Sequence, residues 1–520
     1  MKSHHQEHHP ATGLVEGWNH ALEQWRAIVG NAYVVTAEKE IRRAAGATFK
    51  QPNKVVAVVC PGSVAELQQC MVIANRFACP VSVISTGKNW GYGSGAPVSD
   101  NCTVIKLSRL AGITGYDKVL GTVSVEPGVT FAQLNAFFKA HGSAHFLNCP
   151  GNTADASIVG VTMERGLVPG PRPDMWESIA NLTVMLADGT LIHTGHARFG
   201  EIRTGKTYRH GLGPSMDGLF TQSNYGIVTE MTLHIDPFPE HFRYLAFSLT
   251  RNADFPAIIT LIRELKKRRV IGACCTLFND LRLISFMDHY PWKASKGQTP
   301  LPDACRLQIQ ETLEGGEWYG EIGIEAFNEA DGNNKLGEVM RQINPYTDDL
   351  YIGEVNEPNA FYNPDMNTGL RSVYWRKKTL PATLDPDSDG CGTIWCVPVV
   401  PFIKEDVCLC LDIVRNVLTT HGFEPGITLR FMTTRYLYVM AGIVYDRDVP
   451  GEDDKAMACY DALLTALHGH HFLPYRLGIQ SMGEKSIFTD HNGPLAKDLK
   501  HFFDPNHILS PGRYEFLDET

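Results

Sequence analysis

The sequence predicts an α+β protein built from two unlike layers, and three observations predict it. Residues 54–60 form an apolar run, followed by a capped amphipathic segment, a second apolar run from Val81, and a turn holding Gly87, Gly91, Gly93 and Gly95. Asp188 and Gly189 stand between two apolar runs within 179–193, a strong hairpin signal. After Pro237 and Pro239 the pattern restarts, and its strands and helices suit an antiparallel α+β layer rather than a parallel Rossmann sheet.

Taken in order, residues 17–110 hold a leading helix and the first strand–helix–strand unit. Ser63 with Glu66 three residues later is a capping box that opens a helix to about Phe77. The glycines beyond Val81 let the backbone bring bare N–H groups up to a ligand, and successive N–H groups pointing one way make an anion-binding concavity that suits a pyrophosphate. An ordinary strand-to-loop turn is the plain alternative. Gly91, Gly93 and Ala96 match the dinucleotide pattern only loosely, because Pro97 and the polar residues 98–101 leave no helix after it. A second α/β unit is expected next. Residues 122–126 are strand-like, and Thr130 caps a helix through Phe131, Leu134, Phe137 and Phe138 that stops at Gly142. Residues 226–235 read as another strand.

Beyond Pro239, residues 244–249 and 273–277 read as strands, and 254–269 as a helix with Ile258, Ile262 and Leu265 on its apolar face. A related order covers 319–343. Val407, Cys410, Leu411, Val414, Val417 and Leu418 trace a helix ending at Gly422, with strands around 427–432 and 437–445 and a helix over 453–468. Residues 361–388, rich in Pro, Asn and Asp, read as a long functional loop.

A chain of 520 residues with 43% hydrophobic content can bury large cores, and its length suggests two to four domains. A net charge of −10 argues against non-specific nucleic-acid binding, which needs a positive surface. The basic run from Lys266 to Arg269 reads instead as a solvated helix end that complements the dipole. Thirteen cysteines without regular spacing and without a C-x-x-C pair suggest reduced thiols and no metal site. The amino terminus lacks the apolar core of a secretory signal, and no run reaches the roughly 18 apolar residues of a membrane span. A cytoplasmic protein without a membrane partner is therefore expected. His4, His5, His8 and His9 read as an adventitious terminal cluster.

The order of strand, capped helix, strand and glycine turn resembles the flavin-binding domain of the vanillyl-alcohol oxidase and p-cresol methylhydroxylase family. The resemblance continues through residues 125–130, 160–166, 213–229 and 504–513. It implies a two-subdomain FAD-binding domain over 1–238, a cap domain with a large antiparallel sheet flanked by helices over 239–493, and a return to the FAD-binding domain over 494–520. It also implies that FAD is held by Ser85, Thr86, Gly87, Lys88, Asn89, Trp90, Gly91, Gly93, Ser94, Gly160, Thr162, Glu164, Gly226, Ile227, Val228 and Arg513.

In that family a tyrosine of the glycine loop and a Tyr-Arg pair of the cap converge on the hydroxyl of a para-substituted phenol. Tyr92, Tyr475 and Arg476 stand at the matching positions. From the residues alone, Tyr92 reads equally as a loop-anchoring ring, and Tyr475 and Arg476 on a strand would point to opposite faces. The resemblance implies hydride loss from the para carbon to the flavin, then water attack on a quinone methide. Asp155 is placed either to assist at the benzylic centre or to cap a turn.

A family tyrosine in a comparable Tyr/Trp/Arg segment bonds covalently to the flavin, which implies an 8α-O-tyrosyl link through Tyr374, although here Tyr374 directly precedes Trp375. Thr393 stands where a histidyl link would need histidine. Two departures concern the pocket: residues 435–440 replace a Met-His-His run, and an acidic residue is replaced in the region of Leu429 and Arg430. No C-x-x-C-H haem site exists in the chain, so the c-type cytochrome acceptor that the resemblance favours would be a separate subunit. A homodimer core is implied as well. Two competing readings keep the flavin but assign a 2-hydroxy acid or sugar alcohol as donor, or a purely electron-transferring role.

Overall fold

The computed structural model describes residues 13–168, 172–250, 252–347, 349–354 and 368–518, so the terminal histidine cluster and part of the 361–388 segment lie outside it. Three sheets organise the chain. The first contains β1 (Val34–Val35), β2 (Val55–Val59), β3 (Val81–Ile84) and β4 (Cys102–Lys106), in the order β1-β2-β4-β3. β2 and β3 both run parallel to β4, and helical cover over such strands explains why most of their residues are buried. The helices Gly13–Val29 and Val64–Arg76 bury Ala21, Trp25, Leu67 and Met71 against this sheet. Ser63 Oγ accepts from the Glu66 amide at 3.1 Å as expected, but the Glu66 carboxylate turns back to the Gly62 amide at 2.7 Å, one residue earlier than a standard box.

The second sheet is antiparallel throughout, rather than a second α/β unit. It contains β5 (Ile113–Asp117), β6 (Thr122–Val125), β7 (Ile179–Met185), β8 (Leu191–His193) and β9 (Ile227–His234), ordered β5-β6-β9-β7-β8. Thr130 and Gln133 complete a capping box for the helix Phe131–Ala140, and Asp188 and Gly189 turn the β7–β8 hairpin.

The third sheet is the large one of the cap: β10 (His241–Ser248), β11 (Cys275–Asn279), β12 (Trp318–Ala326), β13 (Asp349–Glu354), β14 (Cys391–Cys396), β15 (Val399–Pro401), β16 (Ile427–Arg430) and β17 (Tyr436–Asp446). Its order is β13-β10-β12-β11-β16-β17-β14, with β15 also on β17. Register decides what each face carries. Leu277, Leu429 and Val439 are paired across β11, β16 and β17 and join a core with Ile262, Val414 and Leu463 from the covering helices. The intervening residues Glu321, Thr276, Arg430 and Tyr438 are also paired strand to strand, so they form one row on the opposite face.

Two expectations need correction. Lys266 is not solvated: it is buried, and its Nζ donates to the Gly272 carbonyl at 2.5 Å, while Lys267 and Arg268 pair with Glu264 and Glu338. Within the expected long loop, Thr368–Val373 is helical because Leu370 and Val373 pack against Trp90 and Tyr374, a contact invisible to local composition. The carboxy-terminal segment returns to the first sheet, where the Val81 amide donates to the Ile508 carbonyl at 2.8 Å and the Ser510 amide to the Val81 carbonyl at 2.7 Å. No helix among the described residues is long and apolar enough to cross a membrane.

Candidate functional site

β3 runs directly into the glycine loop, whose two halves differ. Gly87, Gly91 and Gly93 have φ of 76°, 80° and 123°, conformations that favour glycine. The amides of Gly87, Lys88, Asn89 and Trp90 have no internal acceptor among the described residues. The second half is pinned. Tyr92 and Ser94 amides donate to the Asn89 carbonyl, and the Gly91 amide to Thr48 Oγ1 at 2.9 Å. The cap closes on this half: the Trp395 amide donates to the Gly91 carbonyl at 3.2 Å and the Ile479 amide to the Tyr92 carbonyl at 3.0 Å. A Cβ on Gly91 would collide with the Trp395 ring.

Other residues expected at the cofactor divide into two groups. The Ser157 amide donates to Thr86 Oγ1 at 3.1 Å, and a Cβ on Gly160 would lie 3.4 Å from Ser85 Oγ, so the short helix Ile158–Met163 starts against the loop. Thr162, by contrast, spends its hydroxyl on the Ile158 carbonyl at 2.8 Å, and Ile227 and Val228 sink their side chains into two cores. Gly226 is tight, because a Cβ there would lie 2.5 Å from Val184. Trp90 Nε1 and Ser94 Oγ both donate to Asp387, at 2.9 and 2.8 Å, and Lys88 Nζ faces Asp385 at 3.5 Å. Burial pushes the Asp387 carboxyl up to about 6, against these two hydrogen bonds. The row of unpaired amides after β3 fits the pyrophosphate of FAD.

Tyr92 is buried, with the Arg476 guanidinium carbon 3.7 Å from its ring centroid and 5.3 Å from that of Tyr475. Tyr475 and Arg476 lie in a bend rather than a strand, so alternation does not separate them. The bend is held by the Tyr475 amide on the Val397 carbonyl at 3.1 Å and by Gln222 Nε2 on the Tyr475 carbonyl at 3.1 Å. Arg476 Nε is buried without a hydrogen-bond partner among the described residues. The acid that acts on it, Glu164, is already taken: Arg513 Nη2 donates to it, and Tyr514 donates at 2.9 Å. Burial, then Tyr475, raises the Tyr92 hydroxyl well above its ordinary value, while Arg476 opposes the shift. Burial works against the Arg476 charge, but Tyr475 and Tyr92 more than offset it. Tyr438 continues the wall, its ring 5.0 Å from Tyr475.

Asp155 is exposed, with its amide on Thr153 Oγ1 at 3.2 Å. Tyr374 is buried against Trp90 and donates its hydroxyl to Asp389 Oδ2 at 2.5 Å; burial, then Asp389, raises its pKa. Trp375 turns into a different core, 5.2 Å from Tyr290. Sequence reasoning missed Asp387, Asp389, Tyr438 and Tyr514. The alternation of Asp385, Asp387 and Asp389 before Gly390 was a visible turn signal, but nothing local named the partners.

A family model described as an FAD binding domain matches residues 55–195. The chain is 37% identical over 527 residues to the 1'-carboxy-chondrochloren decarboxylase of Chondromyces crocatus, covering 96% of this chain and 97% of that one. It is 25% identical over 529 residues to the 4-cresol dehydrogenase [hydroxylating] flavoprotein subunit of Pseudomonas putida, covering 96% of each. The crystal structure of p-cresol methylhydroxylase with substrate bound shares the fold, with a TM-score of 0.87 at 24% identity over 96% of this chain and 97% of that one. The glycine loop, the antiparallel cap sheet and these matches along nearly the whole length place the chain in the vanillyl-alcohol oxidase and p-cresol methylhydroxylase family of FAD-dependent oxidoreductases.

Proposed function

We propose that the protein oxidises a phenol at the carbon attached para to the hydroxyl, with FAD as its cofactor. One observation carries the reading: the Arg476 guanidinium lies close to both Tyr92 and Tyr475, with a buried N–H unspent among the described residues. A phenol ionises at about 10, and a cation with two hydroxyl donors favours its phenolate. The phenolate pushes electron density to the para carbon, which makes hydride loss there feasible and leaves a quinone methide open to water. Tyr92, Tyr475 and Arg476 hold the ring and its charge, while the amides from Gly87 to Trp90, beside Lys88, hold the pyrophosphate. FAD, when bound, supplies the hydride acceptor. The relatives named for 4-cresol and p-cresol support this substrate class. Anaerobic mixing of the FAD-loaded protein with a 4-alkylphenol should bleach the flavin and a 2-hydroxy acid should not. The reverse pattern would sink the reading.

Attachment of the flavin through Tyr374 belongs to the same proposal. Asp389 is placed to take the proton of that hydroxyl, the atom such a link would use. Acid precipitation should carry the flavin into the pellet for the parent protein and leave it in the supernatant for Tyr374→Phe. The proposed acceptor is a separate c-type cytochrome; fast reoxidation by air with stoichiometric peroxide would argue for oxygen instead. A second reading is favoured by the 37%-identical relative named as a decarboxylase: the substrate carries a carboxylate and loses it. Release of carbon dioxide from a carboxylated phenol separates the two.

A further inference from the structure

Arg430 is a cation on the Tyr438 face of the cap sheet, and among the described residues nothing negative is paired to it. It is buried, Nη1 donates to Thr276 Oγ1 at 3.0 Å, and Nη2 to the Val168 carbonyl at 3.3 Å. Both acceptors are neutral, and they use two of the five donors of a guanidinium. Among the described residues no carboxylate forms an ion pair with it. The acid on its row, Glu321, faces Thr276 one strand further on and acts on Arg430 only at a distance. A buried charge left this way is costly unless something pairs with it.

Its position relates it to the phenol end of the site. Arg430 pairs with Tyr438 in the β16–β17 register, so the two side chains leave the same face side by side. The Tyr438 ring lies 5.0 Å from Tyr475. Leu167, next to Val168, packs against the cluster that contains Tyr438, as Tyr475 does, so the bond to the Val168 carbonyl anchors the guanidinium beside that cluster. A ring gripped at its hydroxyl by Tyr92, Tyr475 and Arg476 can therefore extend its para substituent along Tyr438 toward Arg430.

We infer that Arg430 receives a carboxylate on the para side chain, so that the substrate class is a phenol with an anionic substituent opposite its hydroxyl. The assignment rests on the phenol reading above. It distributes two cations over one ligand: Arg476 for the phenolate and Arg430 for the carboxylate, each a charge-assisted donor with spare N–H groups.

Three phenols of similar length test it: 3-(4-hydroxyphenyl)propanoate, 4-propylphenol and tyramine, which differ in side-chain charge. Binding to the FAD-loaded protein is read by calorimetry and by the flavin spectrum. The parent protein should bind the propanoate on the order of 10- to 100-fold more tightly than 4-propylphenol, with tyramine weakest. Arg430→Gln should lose that preference and keep its affinity for 4-propylphenol, and Arg430→Lys should keep part of it. Equal affinity of the parent protein for propanoate and 4-propylphenol overturns the assignment and leaves the phenol reading standing. So does an undiminished preference in Arg430→Gln. The parent ranking needs no variant to fold. Failure of all three phenols to bind overturns the phenol reading, and the assignment falls with it.

Discussion

Arg376 and Arg476 are two arginines enclosed by the same cap, and they do opposite things with their charge. Arg376 donates Nε to Glu424 Oε2 at 3.0 Å and Nη2 to the same carboxylate, whose other oxygen takes the Tyr290 hydroxyl at 2.7 Å. Both partners of this pair are almost wholly buried, at 3% and 2% side-chain exposure. Tyr290 and Phe423 then stack on the guanidinium. Arg476 has rings around it too, but among the described residues no carboxylate pairs with it, because Glu164 is committed to Arg513 and Tyr514. The first arginine is saturated and ties the 376 and 424 segments together. The second keeps its charge for something that enters the site.

The largest effect expected from this contrast is on stability. Glu424→Ala would strand the buried Arg376 charge, and removing one member of a buried pair costs about 3–5 kcal/mol. Denaturant unfolding should show that loss, and flavin reduction in the remaining folded protein should change little. Full stability with slow reduction would reverse the assigned roles.

Next, Arg476→Ala should slow flavin reduction by about 100-fold to 1000-fold, the usual cost of losing one preorganised stabiliser of developing charge. FAD binding and unfolding midpoints should stay near those of the parent. Near-normal reduction by a 4-alkylphenol in both Arg476→Ala and Tyr475→Phe would remove the phenolate mechanism.

A smaller effect concerns the carboxyl that anchors the glycine loop. Because burial raises Asp387 from 3.8 to about 6 in the folded protein, its contribution to stability is fully present below the unfolded value and is lost as pH rises through about 6. The loss is at most on the order of 3 kcal/mol. Asp387→Asn should flatten the decline in stability between pH 4 and 7, whereas an unchanged profile would mean that other groups set it. The smallest effect expected is at a group spent within its own helix. Thr130→Ala should cost about 1 kcal/mol, the ordinary worth of an N-cap, with no change in flavin reduction.

How much of this was legible in the sequence follows from how far apart the interacting residues are. Ser63 with Glu66 and Thr130 act within one helical turn, and each caps the helix that was read from it, while Asp254, taken as the first residue of a helix read from its apolar face, is that helix's N-cap. The apolar run of β2, the start of β3 at Val81 and the glycines after it likewise needed only local chemistry, whereas β4 was not read from the sequence. Family resemblance named Tyr92, Tyr475 and Arg476, but their convergence could not be read from periodicity, since strand alternation pointed Tyr475 and Arg476 apart.

The sequence by itself determined the α+β class, the capped helices and the turn chemistry of the anion loop, because those follow from backbone propensities and neighbours a few residues away. Tertiary structure decided which charges are spent. Trp90 reaches Asp387 across 297 residues and Thr48 reaches the Thr393 carbonyl across 345, while Asp389 takes the Tyr374 hydroxyl. Such pairings depend on how the cap is seated on the glycine loop, and no residue pattern encodes that orientation locally. Among the described residues the same seating leaves Arg476 and Arg430 without carboxylates and Arg376 with one, a difference that identical arginines in a sequence do not display.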